Sequence, residues 1–284
     1  MPARTGQEYI AGLQDRPRDV WINGEKVVDV TTHPSFRNNV LSVAALYDLQ
    51  SDSALSDEMT YMSPKTSEQV GLSFIMPNNV EDLQRRGRMM YQWARSHGGM
   101  MGRTPDYLNV CIVAMAAAAE YFAENQPLFG ENVRKYYEFV RENDFCLTHT
   151  LLNPQRSRLR NTSGPVQNLQ DDVEEDAALK VVDETDAGVV VNGARMMATL
   201  GPISDEIAVY PSRAHPAAEQ EHAEKYAMSF SIPSDSPGLK FVCRESFDYG
   251  RSHFDHPLGS RFDEMDAMVF FDNVLVPWDR VFLL

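Results

Sequence analysis

The sequence lacks the short motifs that mark most nucleotide- and metal-binding proteins. Its 284 residues contain no GxGxxG after a strand-like run, no GxxxxGK followed by serine or threonine, and no GxSxG. The three cysteines, Cys111, Cys146 and Cys243, lie far apart, and no CxxC or Cys/His pair has the spacing of a zinc site. We therefore expect reduced, buried thiols and no bound metal.

Long apolar runs and an excess of basic residues are also missing. No stretch approaches the length needed to cross a bilayer, and residues 1–17 contain no signal-peptide core. The formal net charge is -15, which argues against nucleic acid as a partner because binding phosphates needs a basic surface. We expect a cytoplasmic protein with no membrane and no nucleic-acid partner.

Helix signals dominate the first half of the chain. Thr5 with Glu8 has the form of a capping box, and Asn78 with Glu81 repeats it. Thr104 is placed to cap a further helix, with proline and aspartate in its first turn. Apolar residues at helical spacing predict helices over residues 80–97, 107–124 and 131–142. Residues 1–145 are therefore expected to form a helical N-terminal domain.

The second half reads as short strands separated by Asp, Gly, Pro and Ser clusters. The strand-like runs cover residues 179–182, 188–192, 196–200, 206–210, 227–232, 239–244 and 267–275. Many short strands in succession favour a barrel or sandwich. We expect residues 146–284 to form an antiparallel β-barrel, which makes the fold class α+β.

One segment with chemical potential is Gly102-Arg103-Thr104-Pro105-Asp106-Tyr107. Arg103 and Tyr107 are four residues apart, so their side chains share a face if the following helix extends back one turn. A guanidinium and a phenol beside the positive end of a helix can hold an oxyanion. From spacing alone, however, a capping turn with a surface arginine is the favoured interpretation.

A second segment, residues 147–155, falls at the transition from helices to strands, where clefts between domains form. His149 is the one histidine there, and it is set among apolar residues. A histidine in such a place could take a proton near neutral pH. From the residues alone, a hydrogen-bonded core histidine is the simpler interpretation.

Ordered matches along nearly the whole chain nevertheless identify a family. They are Thr5-Gly6-Gln7-Glu8-Tyr9, residues 28–36, Gly102 to Tyr107, His149 with Asn153-Pro154, residues 184–188, Val191-Asn192-Gly193-Ala194-Arg195, residues 257–264 and Val276-Pro277-Trp278. The sequence resembles the oxygenase component of the 4-hydroxyphenylacetate 3-hydroxylase family, which includes chlorophenol and tyrosyl hydroxylases. This resemblance favours the functional interpretation of both segments.

The resemblance implies a fold similar to that of acyl-CoA dehydrogenases: a helical domain, a central β domain and a C-terminal helical bundle. In the family the bundle completes the flavin site and builds a homotetramer. We expect this chain to lack the bundle, because it stops where the β domain of the family ends. The alternative to an active oxygenase is therefore an inactive fragment, or a flavin- or phenol-binding subunit that needs a separate bundle.

The chemistry implied by the resemblance is ortho-hydroxylation of a phenol. A separate flavin reductase supplies FAD as FADH2, O2 adds to give a flavin C4a-hydroperoxide, and the carbon ortho to the phenol oxygen attacks it. By family match Arg103, Tyr107 and His149 surround that oxygen. Arg103 stabilises negative charge, His149 acts as base or proton shuttle, and Tyr107 orients the substrate by a hydrogen bond.

The resemblance also implies binding residues. Contacts with FAD are expected from His149, Thr150, Leu151, Gln155, Arg156, Ser157, Arg158 and Thr199. Contacts with the phenolic substrate are expected from Arg103, Thr104, Pro105, Asp106, Tyr107, His149 and Ser212. The loop that begins at Ser212 is a candidate substrate lid.

Two related activities are less consistent with the sequence. A branch of the family that dehydrates 4-hydroxybutyryl-CoA needs cysteine ligands for an iron–sulfur cluster near residues 98–107. That stretch carries Met100 and Met101, and the next cysteine is Cys111, inside a predicted helix. An acyl-CoA dehydrogenase would need a catalytic glutamate for which we find no placement.

Overall fold

A computed structural model describes residues 3–154, 177–211 and 223–284 of the chain. In these residues the first half is largely helical, as predicted. The helices are α1 (Gly6–Asp15), α2 (Arg37–Ser51), α3 (Ser56–Met59), α4 (Val80–Ser96), α5 (Asp106–Ala117), α6 (Ala119–Ala123), α7 (Pro127–Asn143) and, in the second half, α8 (Gly259–Phe262). Within the described ranges every helix is too short or too polar to pass through a bilayer.

The capping box at the start of α1 is confirmed. The Glu8 amide donates to Thr5 Oγ1 over 3.2 Å, and the Thr5 amide donates to Glu8 Oε2 over 2.7 Å. Two of the four N–H groups left free at the helix start thereby gain partners. This cap fixes the start of the helix that carries Tyr9 into the core.

The two other predicted starts are wrong by about one residue. The cap of α4 is Asn79, whose Oδ1 accepts from the Asp82 amide over 2.9 Å, and the expected pair of Asn78 with Glu81 does not form. Thr104 caps nothing, because its hydroxyl donates to the Asp106 carboxylate instead. The helix expected over residues 107–124 is broken at Ala118 into α5 and α6.

Strands occur in both halves of the chain. They are β1 (Asp19–Ile22), β2 (Glu25–Val27), β3 (Thr60–Met62), β4 (Gln69–Gly71), β5 (Leu147–Thr150), β6 (Lys180–Thr185), β7 (Gly188–Thr199), β8 (Glu206–Val209), β9 (Ser229–Pro233), β10 (Leu239–Cys243), β11 (Asp266–Pro277) and β12 (Val281–Leu283). The predicted runs 188–192 and 196–200 belong to one long strand, β7.

In the described part of the chain these strands form three sheets and not the closed antiparallel barrel that we expected. The orders are β2-β1-β10-β11-β7-β6, β12-β9-β8-β5 and β3-β4. Two pairs, β1 with β10 and β5 with β8, are parallel. A parallel pair needs a long crossover, so neither pairing is visible in the local sequence. The first of them ties the N-terminal segment into the larger sheet.

One hydrophobic core joins the helical half to the two larger sheets. Tyr9 on α1 stacks on Tyr47 of α2 with ring centroids 5.3 Å apart, and its hydroxyl donates to the Ile203 carbonyl over 2.7 Å. The same core contains Phe230 of β9 and Phe241 of β10, both fully buried. The helices and sheets therefore hold fixed positions relative to each other, and the candidate site lies where they meet.

Candidate active site

The turn before α5 presents Arg103. Gly98 and Gly99, just after α4, have φ angles of 62° and 74°, a left-handed conformation that glycine adopts without strain. The chain then passes Met101, whose amide donates to Nδ1 of the buried His97 over 3.1 Å. The amides of Gly102 and Arg103 both donate to the carboxylate of Glu264, which precedes β11. Arg103 is thus held from the β half of the molecule.

The Arg103 guanidinium lies over the Tyr107 ring, with its Cζ 4.4 Å from the ring centroid. Its Nη1 donates to the Gly102 carbonyl over 3.1 Å, whereas its buried Nε has no hydrogen-bond partner in the described residues. A guanidinium with a free donor is suited to an anionic oxygen. The predicted pairing of Arg103 with Tyr107 therefore exists, although α5 begins only at Asp106.

His149 completes an aromatic cluster with Tyr107 and Tyr210. The His149 ring centroid is 5.4 Å from that of Tyr107 and 5.9 Å from that of Tyr210. The Tyr210 hydroxyl is buried without a hydrogen-bond partner in the described residues. The structure therefore brings Arg103, Tyr107 and His149 together, from a turn, a helix and a strand.

The direction of the His149 side chain follows from its place on β5. Successive side chains of a strand point to opposite faces, and the hydroxyls of Thr148 and Thr150 donate to the Thr199 and Met196 carbonyls of β7 over 2.6 and 2.7 Å. His149 therefore faces away from β7 and towards α5.

Burial, with the positive charge of Arg103 as a second cause, lowers the pKa of His149 from 6.5 to about 4. Both effects disfavour the imidazolium. The ring is therefore neutral at pH 7, with one nitrogen free to accept a proton or hydrogen bond. An anion placed next to Arg103 would offset the second cause and raise the pKa of His149.

Other residues of the predicted substrate segment serve the turn itself. Thr104 donates to Asp106, and Pro105 occupies the cap position of α5 without a side-chain cap bond. Burial raises the pKa of the Asp106 carboxyl. These three residues shape the start of α5, which carries Tyr107 at 37% exposure.

Of the predicted cofactor residues, Thr199 lies in a cleft that also reaches Arg103. The cleft has a volume of about 440 Å³, and its walls include Met100, Met197 and Glu264. Small-molecule sites commonly have volumes of about 300–1,000 Å³. The Thr199 hydroxyl donates to Asp266 Oδ1 over 2.6 Å, so its orientation in the cleft wall is fixed.

The remaining cofactor predictions divide into three cases. Thr150 is fully buried with its hydroxyl engaged, so its side chain is turned away from the cleft. Leu151 is 40% exposed, and its carbonyl accepts from Arg195 Nη1 over 3.1 Å. The positions predicted from Gln155 to Arg158, and Ser212 on the substrate side, lie outside the described residues.

Sequence reasoning missed an acidic turn, residues 263–266, that borders the cleft. Arg244 donates from Nη2 to Asp263 Oδ1 over 2.8 Å and from Nε to Asp266 Oδ2 over 3.3 Å, and its Cζ lies 3.7 Å from the centre of the Phe247 ring. Burial raises the pKa of the Glu264 carboxyl. Glu264 stands in a stretch that carried the family resemblance, but nothing in that stretch assigned it a partner 161 residues away.

Comparison with known proteins identifies the family of the chain. Residues 5–283 match the family model described as 4-hydroxyphenylacetate 3-hydroxylase N terminal. The chain is 48% identical to the 4-hydroxyphenylacetate 3-monooxygenase oxygenase component of Geobacillus sp. (strain PA-9), over 100% of this chain and 55% of that protein. It is 49% identical to the protein of the same name from Thermus thermophilus, over 99% of this chain and 55% of that protein.

A solved structure of such an oxygenase component, complexed with FAD and 4-hydroxyphenylacetate, superposes with a TM-score of 0.85 at 48% identity. The match covers 99% of this chain and 55% of that one. The chain thus spans about half the length of the curated relatives that it matches. Because the family model covers nearly all of it, the chain belongs to the 4-hydroxyphenylacetate 3-hydroxylase family.

Proposed function

We propose that this chain binds a phenol and reduced FAD as part of an enzyme that hydroxylates the phenol ortho to its hydroxyl. The observation that carries the proposal is the cluster of Arg103, Tyr107 and His149 beside the cleft that contains Thr199. The relatives named as 4-hydroxyphenylacetate 3-monooxygenase oxygenase components support the reaction class. FADH2 would be held in part by Thr199 and Leu151, and when bound it supplies two electrons and activates O2.

The side chains of this site suit a phenolate. The ring carbon ortho to the oxygen becomes more electron-rich when the phenol loses its proton, so stabilising the anion favours oxygen transfer. The Arg103 guanidinium has a free buried donor for that anion. Tyr107, directly under the guanidinium, can donate a hydrogen bond to the same oxygen and fix its position.

His149 is assigned to proton movement. Its neutral ring can accept the phenol proton, although a pKa of about 4 makes it a weak base in the absence of substrate. Phenolate beside Arg103 offsets the positive charge that lowers this pKa, so the proton is better held once the anion is present. This coupling favours the proton shuttle over a permanently poised base.

The wider assignment follows from the family. A flavin reductase would deliver FADH2 to the site, and the phenol would be a small molecule such as 4-hydroxyphenylacetate. An acyl-CoA dehydrogenase-like arrangement, with residues 1–145 and 146–284 as successive domains, assembly into a homo-oligomer and a cytoplasmic location belong to the same proposal.

The test is an anaerobic titration of the protein with reduced FAD, followed by oxygen in the presence of 4-hydroxyphenylacetate. We expect binding of reduced FAD and formation of the catechol product. His149→Ala should abolish the product, whereas His253→Ala, which changes an exposed histidine outside the site, should leave it unchanged. Release of hydrogen peroxide without catechol from flavin-loaded wild-type protein would contradict the proposal.

A further inference from the structure

The Gly102–Arg103 peptide group is held on both sides. Its N–H, the Arg103 amide, donates to Glu264 Oε1, and its C=O accepts from Arg103 Nη1 over 3.1 Å. The second oxygen of the same carboxylate, Oε2, accepts from the Gly102 amide over 3.0 Å. The orientation of this one peptide plane therefore decides where the guanidinium lies, and Glu264 fixes that orientation.

The turn that carries Glu264 is itself held by hydrogen bonds from Arg244. Arg244 Nη2 donates to the Glu264 carbonyl over 3.0 Å as well as to the Asp263 carboxylate, and Arg244 Nε reaches Asp266. Asp266 in turn holds the Thr199 hydroxyl. One acidic turn, residues 263–266, thus contacts the turn of Arg103 on one side and Thr199 on the other.

We propose that Glu264 is a positioning residue, whose carboxylate clamps the Gly102–Arg103 peptide so that the Arg103 guanidinium faces the phenolic oxygen. This inference rests on the function proposed above. Glu264 acts through Arg103 and does not contact the substrate. Displacing a catalytic group by about 1 Å can lower the reaction rate by up to about a hundredfold. Fixing the backbone of Arg103 therefore maintains the rate of phenol hydroxylation.

Two variants of Glu264 separate the parts of the clamp. Glu264→Ala removes both acceptors. Glu264→Gln retains one acceptor oxygen and turns an NH2 group towards the second amide, so it keeps one of the two hydrogen bonds. The matched control is Glu245→Ala, which removes an exposed carboxylate whose side chain has no hydrogen bond in the described residues.

Amide hydrogen exchange at Gly102 and Arg103 tests the clamp without any ligand. We expect fast exchange at both amides in Glu264→Ala, intermediate exchange in Glu264→Gln, and wild-type exchange in Glu245→Ala. Unchanged protection of both amides in Glu264→Ala would overturn the proposal whatever the protein catalyses.

Binding of 4-hydroxyphenylacetate, followed by the ultraviolet band of its phenolate, tests the role of the clamp. We expect Glu264→Ala to weaken binding by about tenfold or more, the worth of one hydrogen bond to a charged group, and to lose the phenolate band at neutral pH. Glu264→Gln should restore part of both. A change in exchange without a change in the phenolate band would mean that Glu264 is only structural, and tighter binding in both variants would mean that it acts as an opposing charge. Either result overturns the positioning role. A wild-type protein that binds no phenol would instead contradict the proposed function, and the positioning role with it.

Discussion

The Arg103 guanidinium lies 4.4 Å from the centre of the Tyr107 ring, from a turn that precedes α5 and not from the helix itself. If both residues lay on α5, the helix alone would fix their relative position. Here the ring belongs to α5 while the backbone of Arg103 is held by Glu264 near β11. The pair therefore depends on contacts between the helical half and the sheets.

Removing Arg103 should abolish most activity. Arg103→Ala is expected to lower the rate of phenol hydroxylation by about a hundredfold or more, because it deletes the donor next to the developing charge. Arg103→Lys should recover only part of the loss, since lysine keeps the charge but not the planar stacking surface. Steady-state catechol formation with saturating reduced flavin measures both.

Arg251→Ala is the control for this experiment. Arg251 lies over the Tyr249 ring at 5.6 Å, so the variant removes a second arginine–tyrosine contact that is exposed and outside the site. We expect wild-type turnover. An equal loss in both variants would show that the effect comes from general destabilisation and not from the charge at position 103.

The buried pair of Arg4 and Asp205 should be a main contributor to stability. Arg4 Nη1 donates to Asp205 Oδ2 over 2.7 Å, and the same oxygen accepts from the Cys146 amide over 2.8 Å. Asp205→Ala leaves the buried guanidinium without its carboxylate, and we expect the free energy of unfolding to fall by about 3–5 kcal/mol. Urea denaturation measures the change.

The surface pair of Lys65 and Glu138, whose side chains are 56% and 40% exposed, is the matched control. Glu138→Gln should lower the free energy of unfolding by less than about 1 kcal/mol, because water and salt screen exposed charges. Similar losses in both variants would contradict the assignment of Asp205 to the core.

Gly193 should tolerate no side chain. Its φ is +125°, and a Cβ built there would lie 2.4 Å from the Ala178 carbonyl oxygen. Gly24 also has a positive φ, +81°, but a Cβ there meets nothing within 4 Å. Gly24→Ala is expected to lose about 1–2 kcal/mol from backbone strain alone, and Gly193→Ala more, which thermal unfolding of the two variants would show. Equal melting temperatures would contradict the close approach of the two backbones.

Local patterns in the sequence account for much of this structure. The capping box at Thr5 and the helical period of α7 depend on neighbouring residues, so they can be recognised without the fold. The parallel pairing of β1 with β10 joins segments more than 200 residues apart, as the register of Asp19 with Lys240 shows. No local period carries that information.

The candidate site divides in the same way. Arg103 and Tyr107 are close in sequence, and His149 stood out as the one histidine among apolar residues of its segment, but only the family resemblance assigned the three to one site; the structure places them together. The carboxylate clamp of Glu264 could not be predicted, because a hydrogen bond from a backbone amide to a side chain 161 residues away leaves no spacing pattern.

The lowered pKa of His149 should appear in the acid stability of the protein. Between pH 6.5 and about 4 the unfolded chain binds a proton at His149 that the folded chain does not bind. The stabilisation from the neutral ring is therefore complete above pH 6.5 and is lost as the pH falls through about 4.

We expect the melting temperature of His149→Gln to fall less than that of the wild type over this range. Burial also lowers the pKa of His33 and His97, but both are present in each protein, so the difference isolates His149. A curve for His149→Gln that is parallel to that of the wild type would show that the fold does not hold the ring neutral, and would contradict the proposed coupling between phenolate binding and proton transfer to His149.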